Sequence, residues 1–453
     1  MCGFIYSSEE FVDLENSNEF CSRRGPDITN VIKIERTGHS FLHNLLSITG
    51  KKTTQPLVQD GVYCVYNGQI YNYNDFGSEY DSDGKCLIPL YKEMGFDFVK
   101  ELDGEFALVL LDLNKDILFL STDIFSTKPL WIGRRSDGAI GASSYQSSLR
   151  SENYGKISQV PPNTSLLIDI KSKTLLETRE VHTFDLNQHK TSYDDWNLAF
   201  EESIKKRTRT REKIFIGLSG GYDSGAIACE LLKQGTDFKS FSIAADEDIR
   251  IIRSRMEKIN NTKFTNLGKQ EFYEQKSFLE RVSEMYSTPG RAHRPGGYIV
   301  TNDKGAIGTG IICKQAREEG YKIYLSGQGS DEIISDYGHG GKMAQGFIHG
   351  DLAGVYPKDL SKVFPWTNFF LGTQKEFLYK DEAVGGAYGI ECRYPFLDKK
   401  LVQEFLWLDV ELKNKYYKAP LNNYLKINNF PFREGLTNKV GFRANKFKQE
   451  RGM

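Results

Sequence analysis

The stretch Ile214–Ser224, IFIGLSGGYDS, decides the fold of the second half of the chain. Its apolar run, Ile214–Leu218, is typical of a strand that is buried on both faces of a parallel sheet. Two glycines follow, and a helical pattern then begins at Asp223 and ends before Gly235. A turn of small residues between a strand and a helix brings backbone N–H groups and the positive end of the helix close to an anion. The stretch therefore predicts an anion-binding loop.

Strands and helices alternate on both sides of this loop. The alternation predicts an α/β fold with a doubly wound parallel sheet, whose ligands bind at the carboxyl ends of the strands. Ser287–Gly310 is rich in Gly and Pro without a strong period, and it predicts a long loop near the site. The predicted strands are Ile214–Leu218, Ser240–Ala244, Phe264–Leu267 and Lys322–Leu325. One predicted helix starts near Tyr193, and the others span Asp223–Lys233, Asp248–Ile259, Gln270–Tyr286 and Ile311–Glu319.

A second loop of small residues, Ser326–Glu332 or SGQGSDE, follows the strand that ends at Leu325. Asp223 and Asp331, one from each loop, are a suitable pair of carboxylates for a magnesium ion on nucleotide phosphates. The chain has no GK[ST] sequence, so a phosphate loop of the Walker type is excluded. Either loop alone could be an ordinary helix cap, but two such loops at successive strand ends favour a nucleotide site.

The N-terminal half, to about Leu186, has a different pattern. It is rich in short Val, Leu, Phe and Tyr runs joined by turns, which predicts antiparallel strands. Leu113–Asp116 is a hairpin turn candidate, and Leu87–Met94 is the main predicted helix. The predicted strands are Gly61–Tyr66, Glu105–Leu111, Ile117–Ser121 and Ser165–Ile170.

Composition restricts the partners and the compartment. The 453 residues include 59 Lys and Arg and 60 Asp and Glu, a net charge of -1, which argues against a nucleic-acid partner. The longest apolar run, Phe106–Leu111, is too short to span a membrane, and the N-terminus lacks a signal-peptide pattern. We therefore expect a cytoplasmic protein with no membrane partner.

Seven scattered cysteines without a CxxC pair fit neither a disulfide framework nor a zinc site. Cys2 differs from the others because removal of Met1 would leave its thiol and a free α-amine on one residue. That arrangement suits a nucleophile that uses its own amine as the general base.

The two loops resemble a known family. SGGYDS is similar to the SGGxDS signature of the ATP-pyrophosphatases, and together with SGQGSDE it resembles the synthetase domain of the asparagine synthetase family. Glu391–Asp398, ECRYPFLD, is similar to that family's ExRxPFLD stretch, and Lys439–Phe442 is similar to its KxGF segment. Lys418 aligns with a family lysine that contacts the acyl-adenylate and pyrophosphate, although the family's following Arg is Asn422 here.

The first half resembles the partner domain of the same family, an N-terminal-nucleophile glutaminase with an αββα sandwich. The matching segments occur in the expected order. They are Met1-Cys2-Gly3, Arg24–Asp27 (RGPD), Gln55–Leu57 (QPL), Tyr66–Asn72 (YNGQIYN) and Ser82-Asp83. The resemblance thus covers nearly the whole chain and implies a glutaminase domain at 2–190 and a synthetase domain at 191–453.

The resemblance implies a role for each matching residue. In the glutaminase, Cys2 is the nucleophile, and the Asn67 side chain with the Gly68 N–H forms the oxyanion hole. In the synthetase, a carboxylate attacks the α-phosphate of ATP and ammonia then displaces AMP, with Lys418 acting on the reacting groups. The resemblance implies that glutamine is bound by Arg24, Gln69 and Asp83, and that the acceptor or adenylate site contains Gln328, Glu332 and Glu391. It implies that Asp223 and Asp331 hold Mg²⁺. The implied ATP-binding residues are Leu218, Ser219, Gly220, Gly221, Asp223, Ser224, Ile243, Ser326 and Gly327.

Several positions depart from the family pattern. Leu45 replaces the Arg that grips the glutamine carboxylate, Gln69 replaces the Glu of NGE, and Lys85 replaces another Glu. Loss of a charge-assisted hydrogen bond of about 1.5–3 kcal/mol weakens glutamine binding unless another cation substitutes, and Lys51, Lys52 and Arg24 are nearby. Gln328 replaces a family Glu in the second loop, at a position that varies among relatives that make other amides.

These observations lead to one hypothesis with two alternatives. The hypothesis is a ligase that uses ATP and glutamine to convert a carboxylic acid, by default aspartate, into an amide. The first alternative is an amide or lactam synthetase for a different acid, with free ammonia as a possible nitrogen donor. The second is a non-catalytic nucleotide-binding paralogue. A homodimer is compatible with all three.

Overall fold

Two groups of strands and helices make up the chain in the computed structural model, which describes residues 2–244, 248–284, 299–336, 351–434 and 444. The first compact unit contains the chain up to Thr183, a short stretch that begins at Val282, and Gly385–Glu391. The second unit contains Phe184–Arg281 and the described residues of 299–384 and 392–434. The first unit is thus assembled from separate parts of the sequence.

The first unit consists of two antiparallel sheets, each with six strands within residues 2–183, together with short helices. The strands are β1 (Gly3–Ser7), β2 (Ile28–Lys33), β3 (Ser40–Leu45), β4 (Leu57–Gln59), β5 (Val62–Ile70), β6 (Gly104–Asp112), β7 (Ile117–Thr122), β8 (Trp131–Arg134), β9 (Ile140–Ser143), β10 (Lys156–Gln159), β11 (Thr164–Asp169) and β12 (Thr174–Glu180), and the helices are α1 (Leu14–Ser17), α2 (Cys21–Arg24), α3 (Leu87–Met94) and α4 (Gln146–Ser151).

The strand order is β10-β8-β9-β1-β3-β2 in one sheet and β12-β11-β7-β6-β5-β4 in the other. Successive side chains of a strand point to opposite faces, and β1 shows the consequence. Phe4 and Tyr6 belong to the core between the sheets, with Val65 from β5 and Leu118 from β7. Ile5 belongs instead to the cluster on the outer face of its sheet.

Helices cover the outer faces of both sheets. Side chains of α3 pack with β5 and β6 in one cluster, and Cys21 of α2 packs with Ile5 and Leu42 in another. The layers therefore follow the order helix, sheet, sheet, helix, which confirms the αββα prediction. The predicted helix Leu87–Met94 has these bounds in the structure.

In its described residues, the second unit is a parallel sheet with helices. The strands are β13 (Ile214–Gly217), β14 (Phe238–Ile243), β15 (Thr262–Thr265), β16 (Ile323–Leu325) and β17 (Glu391–Arg393), and the helices are α5 (Asp194–Thr208), α6 (Tyr222–Lys233), α7 (Ile249–Met256), α8 (Lys269–Val282), α9 (Lys304–Glu318), α10 (Ser330–Ser335), α11 (Thr373–Ala387), α12 (Lys399–Trp407), α13 (Val410–Asn414) and α14 (Ala419–Ile427).

The apolar strand β13 lies in the middle of this sheet, whose order is β15-β14-β13-β16-β17. It pairs in parallel with β14 on one side and with β16 on the other. In chain order, β14 and β15 lie on one side of β13, and β16 lies on the opposite side. The direction of strand addition therefore reverses between β13 and β16, which makes this position a topological switch point. Ligands of doubly wound sheets bind outside the carboxyl ends of the strands at such a point. The predicted parallel fold is confirmed.

Part of the predicted loop Ser287–Gly310 is wrong, because α9 begins at Lys304. The Asp303 carboxylate caps this helix by accepting a 2.8 Å hydrogen bond from the Gly305 N–H. Three glycines in the first two turns weakened the helical pattern in the sequence. Residues 287–298 of the predicted loop and the segment Lys439–Phe442 lie outside the described residues. In the part of the chain that is described, no helix has both the length and the apolar character needed to cross a membrane.

Candidate functional site

Cys2 immediately precedes β1 in the first unit and is buried. Its carbonyl oxygen accepts a 3.0 Å hydrogen bond from the Arg24 Nε. Burial raises the pKa of the Cys2 thiol above its usual value; the nearby carboxylates of Glu391 and Asp83 raise it further, whereas a hydrogen bond with the Leu46 backbone lowers it. Because the thiolate is the reactive form, a thiol in this environment needs a base at the moment of reaction.

The side chain of Asn67 is an amide with unused hydrogen-bonding capacity. It is fully buried on β5, and neither its nitrogen nor its oxygen forms a hydrogen bond with a described residue. A buried polar group without a partner is costly and uncommon in folded proteins. The next residue, Gly68, has a φ of +141°, and a Cβ there would lie 1.9 Å from the Glu105 carbonyl oxygen. Only glycine fits at this position.

A cavity that is partly open to solvent adjoins Cys2. Asp83 in its wall accepts hydrogen bonds from the Tyr66 hydroxyl at 2.8 Å and from the Ile70 N–H at 2.9 Å. The structure thus brings together Cys2, Gly68, Gln69 and Asp83, four residues that the resemblance assigned to glutamine. The lining residues are Cys2, Leu45, Leu46, Ser47, Ile48, Thr49, Lys51, Thr53, Gln55, Leu57, Tyr66, Gly68, Gln69, Ser82, Asp83, Gly84 and Glu391.

Arg24 is placed differently from the expectation that it contacts glutamine. It is fully buried, its Nη1 donates to the Tyr145 hydroxyl at 3.3 Å, and it is not among the described residues that line the cavity. Its guanidinium also lies 5.1 Å from the centre of the Tyr145 ring. Tyr145 is therefore a structural partner of Arg24. The Arg24 side chain thus helps to hold the backbone of Cys2.

Glu391, which the resemblance assigns to the acceptor or adenylate site, is among the residues that line the Cys2 cavity. It belongs to the first unit and is almost fully buried. Some 390 residues separate it from Cys2 in the sequence, so their proximity is a product of the fold. The cavity consequently contains two carboxylates, from Asp83 and Glu391.

The loop Ser219–Ser224 of the second unit has its predicted position between β13 and α6. The Ser224 hydroxyl accepts from the Ser219 N–H at 3.1 Å and lies 2.7 Å from the Ser219 hydroxyl. The Ser219 hydroxyl in turn accepts from the Gly221 N–H at 3.1 Å. These bonds close the loop on itself at the beginning of α6. Leu218 and Ile243, the other expected ATP-binding residues here, are buried at the ends of β13 and β14.

Lys418 joins the two nucleotide loops. Its Nζ lies 2.5 Å from the Asp223 Oδ1 and 2.8 Å from the Asp331 Oδ1, and the lysine is almost fully buried. The Tyr417 hydroxyl donates to the Asp331 Oδ1 at 3.1 Å, and the Ser330 hydroxyl donates to the Asp223 Oδ1 at 2.7 Å. Three residues named from the sequence therefore form one cluster at the carboxyl ends of β13 and β16.

The second loop is held by Asp381 of α11, a residue that the sequence did not reveal. The Ser326 hydroxyl donates to its Oδ2 at 2.6 Å, and the Gln328 side chain forms a second hydrogen bond. Burial raises the pKa of Asp381, and Lys380 and these two hydrogen bonds oppose that effect. Glu332, expected in the acceptor site, is buried within α10.

Arg255 is the second site residue that the sequence did not reveal. It is fully buried on α7, and its Nη1 donates to the carbonyl oxygens of Ser219 at 2.5 Å and Gly221 at 2.8 Å. A Cβ on Gly225 would meet the guanidinium at 2.3 Å, so glycine at that position makes room for it. No local pattern marks such an arginine, because its partners are distant backbone carbonyls, those of Ser219, Gly221 and, through Nε at 2.8 Å, Pro431.

The described residues contain no cluster of three or more His, Cys, Asp and Glu side chains that could hold a metal ion by themselves. Asp223 and Asp331 are two carboxylates that converge on Lys418. Magnesium binds readily to one or two carboxylates when phosphate oxygens and water complete its octahedron. The pair therefore fits an ion that arrives with a nucleotide, and it does not fit a metal site built from protein groups alone.

Comparisons with known families divide the chain near the same point as the two structural units do. Residues 1–183 match the glutamine amidotransferase domain family, and residues 195–347 match asparagine synthase. The chain belongs to the asparagine synthetase family. The glutamine-hydrolysing asparagine synthetase of Homo sapiens is 25% identical over 465 residues, covering 91% of this chain and 78% of the human protein. That of Gallus gallus is 24% identical over 475 residues, with the same coverage.

A protein assigned as a glutamine-hydrolysing asparagine synthetase in Methanocaldococcus jannaschii is 28% identical over 413 residues, covering 83% of this chain and 70% of the relative. Among solved structures, glutamine phosphoribosylpyrophosphate amidotransferase from B. subtilis covers 92% of this chain and 97% of its own at 13% identity. Its TM-score of 0.33 is too low for a comparison of sites. As a member of the asparagine synthetase family, this protein is a carbon–nitrogen ligase that depends on glutamine and ATP and acts on small molecules.

Proposed function

We propose that this ligase activates a carboxylic acid, by default aspartate, as an acyl-adenylate and converts it into an amide with nitrogen from glutamine. The products are the amide, glutamate, AMP and pyrophosphate. The observation that carries the proposal is the buried Lys418 between Asp223 and Asp331, where two loops meet at the ends of parallel strands. A binding module has no need for a reactive cation at that point and for a cavity with a buried cysteine elsewhere.

The first half-reaction takes place at Cys2. After removal of Met1, the α-amine accepts the thiol proton, since its pKa of about 7.7–8.0 suits a base near neutral pH. The thiolate attacks the side-chain amide carbon of glutamine, the carbonyl oxygen becomes an oxyanion, and the C–N bond breaks to release ammonia. Water then hydrolyses the thioester to glutamate. The unpartnered Asn67 amide and the Gly68 N–H are the donors that stabilise the oxyanion.

The second half-reaction takes place between the two loops of the second unit. An oxygen of the acceptor carboxylate attacks the α-phosphorus of ATP, and the bond to pyrophosphate breaks. Ammonia then attacks the acyl carbon, AMP leaves, and the amide forms. Lys418 and the N–H groups of Ser219–Ser224 would neutralise charge on the departing phosphates. A magnesium ion held by Asp223, Asp331 and phosphate oxygens would supply further neutralisation.

A different acceptor acid is the second candidate, and one observation favours it. The side chain of Gln328 is neutral and is hydrogen-bonded to Asp381, so it cannot act as a charged partner or base for incoming ammonia. An acceptor with a shape or charge unlike that of aspartate would suit such a loop. The rest of the reaction would be unchanged.

A panel of carboxylic acids tests the proposal. Pyrophosphate release would be measured with ATP, magnesium and an ammonium salt, so that the result does not depend on glutamine hydrolysis. Release that requires aspartate supports the default acceptor, and release that requires another acid of the panel supports the second candidate. No release with any acid would contradict the ligase proposal and favour a non-catalytic role.

A further inference from the structure

The resemblance implies an arginine for the glutamine carboxylate where this chain has Leu45, and no arginine is among the described residues that line the Cys2 cavity. An α-amino acid carries a negative carboxylate and a positive ammonium, and a selective site normally neutralises both. The cavity has carboxylates for the ammonium, from Asp83 and Glu391. The group that faces the carboxylate remains to be identified.

Lys51 is the one basic side chain among the described residues that line this cavity. The two other nearby cations do not qualify. Arg24 is fully buried against the Cys2 carbonyl and the Tyr145 hydroxyl, and it does not reach the lining. Lys52 is exposed and is also absent from the described lining.

The backbone fixes Lys51 close to the ammonium-binding end of the cavity. The Lys51 N–H donates a 2.8 Å hydrogen bond to the Asp81 carbonyl oxygen, and Asp81 is two residues before Asp83. Asp83 itself is locked by Tyr66 and Ile70. The backbone at Lys51 and the carboxylate of Asp83 are therefore anchored to one segment, and both residues line the same cavity.

The Lys51 ammonium is available for a ligand. It lies 3.2 Å from the Asp81 Oδ2, but the Oδ1 of the same carboxylate is already 2.5 Å from the Lys85 Nζ. Two ammonium groups thus share one carboxylate, which leaves excess positive charge at the rim of the cavity. The side chain of Lys51 is 80% exposed, so it can turn from Asp81 to a ligand while Lys85 keeps Asp81 neutralised.

We propose that Lys51 binds the α-carboxylate of glutamine in place of the missing arginine, an inference that rests on the proposed glutaminase activity. The neutral Gln69 fits this arrangement. Its Oε1 accepts a 2.6 Å hydrogen bond from the Thr49 hydroxyl, which ties it to the segment that carries Lys51. A lysine offers a single charged group where arginine offers a planar fork, so the site binds glutamine less tightly than a site with arginine.

The test compares Lys51→Met with Lys85→Met, which removes the other ammonium at Asp81 and leaves the lining of the cavity intact. Glutamate release would be measured as a function of glutamine concentration. We expect Lys51→Met to raise KM for glutamine about tenfold, as loss of a charge-assisted hydrogen bond does, with little change in kcat. Lys85→Met should raise KM by no more than about twofold, because Asp81 then competes with glutamine for the Lys51 ammonium, but only as the partner in an exposed ion pair, which contributes little.

A second substrate separates recognition from structural damage. Wild-type protein should prefer glutamine to glutamine whose α-carboxylate is capped as an amide, and Lys51→Met should lose most of that preference. Equal KM values for wild type and Lys51→Met, with the preference intact, would overturn the inference alone. No glutamate release by wild type while ammonia supports pyrophosphate release would overturn the glutaminase proposal together with this inference.

Discussion

The Nζ of Lys418 lies 2.8 Å from the Oδ1 of Asp331, and the same ammonium lies 2.5 Å from Asp223 on the other loop. One buried ammonium between two carboxylates leaves one negative charge in excess, which suits a cluster that also receives a divalent cation. Triphosphate and magnesium would change that balance, because the carboxylates can then face the metal and the ammonium can face phosphate oxygens. The cluster is thus suited to exchange partners when ATP binds.

Replacement of Lys418 by Met should lower ammonia-dependent pyrophosphate release at least about a hundredfold, since a group that stabilises charge in the transition state is lost. Glutamate release should stay within about twofold of wild type, because Cys2 lies in the other unit. Lys415→Met is the control, since this nearby lysine has no described contact with Asp223 or Asp331. Equal losses in the two variants would contradict a role for Lys418.

Replacement of Asn67 by Ala should lower kcat for glutamate release about 100-fold to 1,000-fold, the usual effect of losing one oxyanion donor. The KM for glutamine should change much less, because the donor acts mainly in the transition state. Ammonia-dependent pyrophosphate release provides the internal control and should be unchanged. A raised KM with normal kcat would assign Asn67 to substrate binding instead.

Replacement of Arg255 by Met should raise KM for ATP about tenfold, because the carbonyl oxygens of Ser219 and Gly221 lose the cation that holds the loop. Arg253→Met is the matched control, since Arg253 lies on the same helix and is exposed. ATP dependence of pyrophosphate release would be measured for both. A loss of thermal stability with normal KM for ATP would show that Arg255 stabilises the fold without shaping the loop.

Replacement of Leu45 by Arg should lower KM for glutamine about tenfold, because it restores a guanidinium to the cavity wall. In the Leu45→Arg background, Lys51→Met should hardly change KM for glutamine, since the new guanidinium alone then binds the α-carboxylate of glutamine. The four proteins form a double-mutant cycle on KM. Independent, additive effects would contradict a shared target for the two positions.

The contribution of Asp398 to stability should depend on pH. Its Oδ2 lies 2.9 Å from the Arg207 Nη1 and also contacts Lys206. Burial raises the pKa of Asp398, but these two cations outweigh burial and lower the pKa to about 2, below its usual value of 3.8. A carboxyl with a lower pKa in the folded state stabilises the fold above its unfolded pKa and loses that effect as pH falls through the folded value. We expect the full contribution near neutral pH and a smaller one at acidic pH, where Asp398 begins to be protonated in the folded protein.

Urea unfolding of wild type and Asp398→Asn measures this dependence. The difference in the free energy of unfolding should be largest near neutral pH and should shrink between about pH 4 and pH 2. Asp195→Asn removes an exposed partner of Lys190 and should have little effect at either pH. A difference for Asp398→Asn that does not vary with pH would contradict the assigned pKa.

The sequence predicted those parts of the fold whose signal is local. The apolar run at β13, the small residues after it and the compact helix α3 each carry a pattern within about ten residues. The sequence does not predict the start of α9, because its glycines interrupt the helical pattern. In the structure Gly305 and Gly308 are buried, which explains why small residues occur at these positions. Burial against the sheet outweighs the low helix propensity of these residues.

The sequence also predicted the main groups of the candidate site through the family resemblance. It could not place Glu391 beside Cys2, because nothing local connects residues so far apart. Arg255 and Asp381 were missed for the same reason, since each supports a loop from a distant helix. Lys51 remained one of three candidate cations until the lining of the cavity excluded Arg24 and Lys52.

Transfer of labelled nitrogen tests the central proposal most directly. The protein would be incubated with glutamine carrying ¹⁵N in its side-chain amide, ATP, magnesium and the acid identified by the panel. We predict a ¹⁵N-labelled amide formed in equal amount with AMP and pyrophosphate. The label should be lost in Cys2→Ala and restored there by ¹⁵N-ammonium. Pyrophosphate release without an amide product, or an amide without label from glutamine in the wild type, would contradict the account.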